Sequence, residues 1–121
     1  PHLFSSAASD VYKRQVQIKL ADMLMKVEAA RLLIHKAAFN AQNGLPDILE
    51  SSTAKCFSNE MSREVTTTAM QLMGGYGYNK EYGMERRVRD AFGWGIAGGT
   101  IDIQKINIAS AMIGRRFNQR N

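Results

Sequence analysis

Two glycine-rich stretches hold the residues whose types and spacing could do chemistry. They are Gly74-Gly75-Tyr76-Gly77-Tyr78 and Gly93-Trp94-Gly95-Ile96-Ala97-Gly98-Gly99-Thr100. Glycine removes the Cβ that would hold a ligand away, and it permits positive φ. Backbone N–H groups exposed by such a turn can meet carbonyl or phosphate oxygens. The second stretch leads straight into an apolar pattern: Ile103, Ile106, Ala109 (or Ile108), Met112 and Ile113. Thr100 is therefore placed as a helix N-cap, with Asp102 in the first turn at the positive end of the dipole. A helix start of that kind favours nearby negative charge, including pyrophosphate oxygens. Neither stretch is the dinucleotide fingerprint, because no strand precedes it and the spacing is not G-x-G-x-x-G. Taken alone, the first stretch also reads as a helix C-cap followed by an ordinary loop.

The other reactive residue types carry less. Cys56 lies in a helical apolar pattern and reads as a small buried core residue; a single cysteine excludes an internal disulfide and fits a reducing compartment. His2 and His35 lack a partner ligand at metal spacing, so no metal is expected. Glu85-Arg86 and Arg89-Asp90 are spaced for ion pairs across one helical turn, as a brace for the loop or a subunit contact. The net charge is +5, with basic residues scattered through Arg86-Arg87, Arg89 and Arg115-Arg116. Solvated helix faces explain that scatter as well as an anionic partner does, and no nucleic-acid partner is expected.

The elements that must position these groups are helical. From Val16, apolar residues recur as Leu20, Met23, Leu24, Val27, Ala30, Ile34, Ala37, Ala38 and Ala41, a helical period. Asn43-Gly44 is expected to stop that helix, with glycine as the left-handed residue, and Pro46 bars continuation. A second period runs Ala54, Phe57, Met61, Val65, Thr68, Leu72, capped by Asp47, Ser51 or Ser52 and ended by Gly74-Gly75. The loop GGYGYNKEYG leads to a short helix from Met84 to Ala91, and the last helix follows Thr100. The fold class is thus all-α: an up-and-down bundle of three long helices and one short one. The first two helices, of about 25 residues, span about 38 Å. Seven methionines suit an adaptable core. No run of about 18 apolar residues exists, so no membrane partner is expected. Residues 1–15 show no sustained period, and Ser5-Ser6-Ala7-Ala8-Ser9 reads as coil. The expected organisation is a non-native or disordered leader at 1–15, one domain at 16–117, incomplete at its start, and a tail at 118–121.

Gln71, Gly74-Gly75-Tyr76-Gly77-Tyr78, Glu81-Tyr82, Glu85-Arg86 and Arg89-Asp90-Ala91 resemble the C-terminal signature of the acyl-CoA dehydrogenase family. The stretch GGTIDIQ resembles that family's EGTSEIQ turn, and VQIKLADM resembles the opening of the first long helix of the same domain. The three blocks cover Val16 to about Arg116 in matching order and spacing. The resemblance implies that the first glycine loop reaches the FAD of a neighbouring subunit. Gln71, Gly74 and Gly75 would contact the adenosine-diphosphate part of that cofactor. Thr100 would lie near the flavin, with Asp102 and, more weakly, Gln104 in the same neighbourhood.

The family's reaction removes the α-proton of an acyl thioester while a β-hydride passes to the flavin, and it needs a carboxylate base. Many members carry that glutamate just before the Gly-Thr of this turn, where this chain has Gly98. No catalytic residue is therefore assigned. Either the base comes from a preceding helix, as in the branches resembling isovaleryl- and long-chain-type enzymes, or the branch has lost dehydrogenation and kept the scaffold. The first is favoured. Ser110 replaces an arginine that many members carry, which puts a subunit contact in doubt. The resemblance implies a homotetramer of the bacterial cytoplasm or the mitochondrial matrix, the cytoplasm being preferred, acting on acyl-CoA and passing electrons to an electron-transfer flavoprotein. This chain would be an inactive piece of it that contributes flavin and subunit contacts. A stand-alone helical interaction module and a basic nucleic-acid binder are the alternatives.

Overall fold

Helix α2 (Ile48–Met73) is the element against which the others pack. A computed structural model describes residues 2–116, with side chains described from residue 7; the expected tail at 118–121 lies outside the described residues. α2 begins where the Asp47 carboxylate accepts hydrogen bonds from the N–H groups of Leu49 and Glu50 at 3.1 and 3.3 Å, so Asp47 is the cap among the three candidates. It ends at Gly74, φ 62°, whose N–H donates to the carbonyls of Met70 and Gln71.

One face of α2 receives α1 (His2–Ala41), which runs antiparallel to it. Asn40 donates to Glu50 at 2.7 Å, Lys26 pairs with Glu64, and Val27, Ala30, Ile34 and Met61 line a groove between the helices. Ala30 and Ala37, two turns apart, are buried, and their small side chains let the axes approach. The opposite face receives α4 (Met84–Trp94) and α5 (Ile101–Ile113) through Lys55, Glu60 and Arg63, with Cys56 buried among them. Between α2 and α4 lie a single helical turn, α3 (Gly75–Tyr78), and a 3-10 turn over Lys80–Tyr82. Among the described residues α1 contacts no helix except α2, so the molecule is a layered stack with α2 in the middle. No strand occurs among the described residues.

The buried apolar residues are mostly small: Ala30, Ala37, Ala54, Cys56, Met61, Met84 and Ala91. Large apolar side chains stay outside, with Phe39 83% and Met112 73% exposed. Trp94 is likewise 67% exposed. The interior is thin, and both outer layers present apolar surface to solvent.

Five local expectations change. Residues 5–9, read as coil, lie within α1, which is continuous from His2. No glycine or proline interrupts 2–41, and extending an existing helix costs far less than starting one. That extension is nonetheless unpartnered: every side chain from Ala7 to Gln15 is exposed, and Val16 is the first that is not. The Asn40–Glu50 and Lys26–Glu64 pairs, extrapolated along the antiparallel helices, set Gln17 opposite Met73, so the preceding turns run past the end of α2. At the other end of α1 the left-handed residue is Gln42, φ 51°, not Gly44, because the chain turns one step after the helix stops. The short helix continues to Trp94 through Gly93, and α5, at 13 residues, is only half as long as α2 at 26. Glu85, Arg86, Arg89 and Asp90 form no ion pair with one another; the ion pairs of the described residues are Lys26–Glu64, Arg31–Glu28 and Lys105–Glu60.

Burial, then the nearby Glu60 carboxylate, pushes the Cys56 thiol above its ordinary range. The folded state therefore holds this proton more tightly than the unfolded chain, and stability falls as pH rises above the ordinary thiol range. The expected outcome is a lower melting temperature at alkaline pH that Cys56→Ala partly relieves, and a thiol that reacts with a disulfide reagent only after unfolding. Rapid reaction in the native protein would contradict the buried placement.

Candidate functional site

The loosened backbone ahead of α5 has a steric cause. α4 ends in a turn where Gly98 and Gly99 take φ values of 66° and 98°, the left-handed region that favours glycine. Two cations from α2 close over this turn. Lys55 Nζ donates to the carbonyls of Trp94 and Ala97 at 3.2 and 3.0 Å. Arg63 Nη2 donates to the Phe92 carbonyl at 3.3 Å, and its guanidinium carbon sits 4.9 Å from the centre of the Phe92 ring. Both cations thus meet the negative end of α4. The guanidinium lies so close over Gly95 that a Cβ there would overlap it. From the other side, Gln104 is buried, and its amide nitrogen is 2.6 Å from the place a Cβ on Gly99 would take.

Past the turn, Thr100 Oγ1 accepts from the Ile103 N–H at 3.2 Å, the N-cap expected from sequence. Thr100, Asp102, Lys105, Glu60 and Arg63 line an open groove of about 390 Å³. Lys105 and Glu60 bridge it at 2.6 Å, and that hydrogen bond raises the Lys105 pKa. Gln104 packs behind the turn against Gly99, while Asp102 is exposed.

The first glycine loop is built differently. Gly74 closes α2, and its carbonyl accepts from the N–H groups of Gly77 and Tyr78 at 3.0 and 3.3 Å, folding α3 back on the helix end. Gly77 is buried there: a Cβ would stand 2.6 Å from the Met70 carbonyl oxygen and 2.9 Å from the Met73 Cβ. Gly74 and Gly75 are the reverse case, exposed and with no atom within 4 Å of where a Cβ would point. Asn79 Oδ1 accepts from the Glu81 N–H at 2.9 Å, and Tyr76 and Tyr82 meet edge to face at 5.3 Å. Gly75, Tyr78, Asn79, Lys80 and Glu85 line an open groove of about 500 Å³, and Gln71 is exposed on the last turn of α2.

The residues singled out from sequence therefore fall into two stations. Gln71, Gly74 and Gly75 cluster at the C-terminus of α2. Thr100 and Asp102 cluster at the start of α5, beside Glu60 and Arg63. The eleven residues from Arg63 to Gly74 correspond to roughly 16 Å along the helix axis, so the stations form no single pocket within this chain. Among the described residues, no group of three or more histidine, cysteine or acidic side chains could hold a metal. Sequence reasoning missed Lys55 and Arg63. Their only signal is eight-residue spacing on α2, which a solvated helix face shows equally often.

Gly77 separates packing from cofactor contact. Gly77→Ala is expected to cost about 1–3 kcal/mol because the clash is with backbone. Gly75→Ala, with open space around it, should leave the melting temperature close to that of the parent. Equal losses from both in thermal denaturation would contradict the packing described for α3.

The model of the family described as acyl-CoA dehydrogenase, C-terminal domain, matches residues 10–113; its start falls inside the segment read from sequence as a leader. The probable acyl-CoA dehydrogenase FadE25 of Mycobacterium leprae is 45% identical over 101 residues, which cover 83% of this chain and 26% of that protein. The 3-sulfinopropanoyl-CoA desulfinase of Variovorax paradoxus is 41% identical over 104 residues, covering 86% of this chain and 26% of that protein. Among solved structures, butyryl-CoA dehydrogenase from Megasphaera elsdenii superimposes with a TM-score of 0.79 at 40% identity, over 83% of this chain and 26% of that one. The chain thus spans about a quarter of the length of the relatives it matches. The shared helices, both glycine turns and these matches agree: the chain belongs to the acyl-CoA dehydrogenase family, of which it carries the C-terminal helical domain.

Proposed function

We propose that this domain, taken as residues 16–117, serves an FAD-dependent acyl-CoA dehydrogenase, and that it supplies cofactor and subunit contacts without a catalytic base of its own. The observation that carries this reading is the open cradle at Gly74 and Gly75 beside a groove of about 500 Å³, where no side chain or backbone beyond the adjoining chain comes within 4 Å of either missing Cβ. Backbone can approach a polar group directly there, with Asn79 and Lys80 lining the groove as donors and Glu85 at its rim as the one carboxylate. Gln71, Gly74 and Gly75 would hold the adenosine-diphosphate part, and Thr100, with Asp102 and Gln104 near it, would stand closer to the flavin ring. When bound, FAD supplies the acceptor for the hydride leaving the β carbon of the acyl thioester. The two stations lie apart along α2, so a neighbouring subunit in a homotetramer would complete each cofactor site. The substrate would be an acyl-CoA, the electron acceptor an electron-transfer flavoprotein, and the compartment the cytoplasm. Among the described residues no helix is long and apolar enough to cross a membrane.

Position 98 is where a base would be sought, and its geometry argues for another source. Gly98 has φ 66°, and the Lys55 side chain is its nearest neighbour, 3.8 Å from a built Cβ. A glutamate there would adopt a left-handed backbone at a cost of about 1–2 kcal/mol and would place its carboxylate near an ammonium. A second reading follows from the same glycine: a family member that keeps the scaffold but not α-proton abstraction, in line with the desulfinase relative.

The test uses the intact gene product that contains this chain. It is expected to purify with FAD, and saturated acyl-CoA added without oxygen should bleach the flavin absorbance. The 121-residue chain alone should turn over no acyl-CoA. Gly98→Glu in the intact protein should lower the melting temperature without accelerating bleaching. Flavin that stays oxidised with every saturated acyl-CoA would favour the scaffold reading, and a protein without FAD would contradict both. Faster bleaching by Gly98→Glu would make position 98 the base site after all.

A further inference from the structure

Two cations on one face of α2 are used for an unusual purpose. Lys55 and Arg63 stand eight residues apart, which is two helical turns plus about 80°, yet both long side chains reach the same neighbour. That neighbour is the end of α4 and the turn after it, where the carbonyls of Phe92 and Trp94 belong to the last helical turn, which lacks intrahelical donors, and that of Ala97 lies just beyond. Lys55 takes two of them and Arg63 the third. Arg63 is fixed further by the Phe92 ring beneath it and by Gly95, whose missing side chain makes its room. The turn between these anchors leads through Gly98 and Gly99, both left-handed, into the Thr100 cap. Glycines give that segment little stiffness of its own. The direction in which α5 starts is accordingly set from outside the turn.

We propose that Lys55 and Arg63 are positioning residues: they clamp the carbonyl end of α4 and thereby fix the glycine turn, the Thr100 hydroxyl and the first N–H groups of α5. The clamp stands on the hydrogen bonds above; its effect on the flavin rests on the reading that the Thr100 end of α5 faces that cofactor. Lys105 provides a contrast. It joins α5 to α2 through Glu60 and lines the groove beside Thr100, but it does not hold the carbonyls of Phe92, Trp94 and Ala97, so its loss loosens the same pair of helices without releasing the clamp.

The experiment compares Lys55→Met, Lys55→Arg and Lys105→Ala in the intact gene product. Amide hydrogen exchange is read over residues 95–104, and flavin reduction by acyl-CoA is read in parallel. Lys55→Met should speed exchange across the turn about tenfold, leaving α1 protection and far-ultraviolet circular dichroism unchanged. It should also lower the rate of flavin reduction by about tenfold or more, with the KM for acyl-CoA shifted far less, since displacing a group by about 1 Å can cost a hundredfold in rate. Lys55→Arg should recover most of both, because a guanidinium can reach the same carbonyls. Lys105→Ala, a change in the groove that Thr100 also lines, is compared on exchange alone and should alter it by no more than about twofold. Unchanged exchange over 95–104 in Lys55→Met overturns the clamp, whatever the flavin does. Equal effects from Lys105→Ala overturn it too, reducing Lys55 to general support of α5. If Lys55→Met folds poorly, Arg63→Lys, which keeps the charge but loses the stacked guanidinium, carries the same exchange readout. Faster exchange together with unchanged flavin reduction upholds the clamp and overturns its flavin role. A wild-type protein without flavin contradicts the reading of function, and the exchange data still decide the clamp.

Discussion

The whole arrangement depends on α2 being occupied on two opposite faces. One face meets α1 through Ala30, Ala37 and Met61; the other meets α4 and α5 through Lys55, Cys56, Glu60 and Arg63. A helix buried on one side only can be apolar there and charged elsewhere. α2 instead presents small and charged groups to its second neighbour, and these work by satisfying backbone carbonyls at the end of α4. The ion pairs that accompany the packing are half-exposed and worth roughly 0–1 kcal/mol each. Hydrogen bonds from Lys55 and Arg63 to carbonyls at a helix end carry charge on one partner and are the stronger contacts.

Glycine serves three physical ends in this chain. At Gly77 the missing side chain lets α3 lie on the Met70 carbonyl. At Gly95 and Gly99 the space is filled by Arg63 and Gln104, side chains arriving from α2 and α5. At Gly74 and Gly75 the space stays open, as it also does at Gly83, Gly93 and Gly114; Gly75 in addition lines the groove shared with Tyr78, Asn79 and Lys80. The distinction separates glycines that pack from glycines that could approach a ligand, and among the open ones the proposed cofactor contact rests on the pair at the groove. The exposed apolar residues of both outer layers accord with a domain that is about a quarter of the length of its relatives.

Much of this was legible in the chain. The three- and four-residue recurrence of Leu20, Met23, Val27, Ala30 and Ile34 identified α1, and Asp47 and Thr100 were recognisable caps because their side chains precede apolar periods. The second face of α2 was not legible: Ser52, Cys56, Glu60 and Arg63 are polar or small, and a polar face reads as solvated until the helix that covers it is known. Residues 5–9 were misread because composition alone does not reveal that an adjoining helix will propagate through serine and alanine. The helical turn at Gly75–Tyr78 was hidden for the opposite reason, since glycine signals a break where close packing on Met70 and Met73 restores a turn. Within the site, types and spacing pointed to Gly74, Gly75 and Thr100, while the burial of Gln104 against Gly99 depends on a left-handed backbone that sequence does not display.

The measurement that tests the central claim most directly is a crystal or electron cryomicroscopy structure of the assembled gene product with its cofactor. The account predicts FAD density running against the backbone of Gly74 and Gly75 of one chain, with the Thr100 end of α5 beside the flavin ring and Lys55 still on the Trp94 and Ala97 carbonyls. Density that leaves Gly74 and Gly75 facing solvent, with the cofactor bound elsewhere, would contradict it.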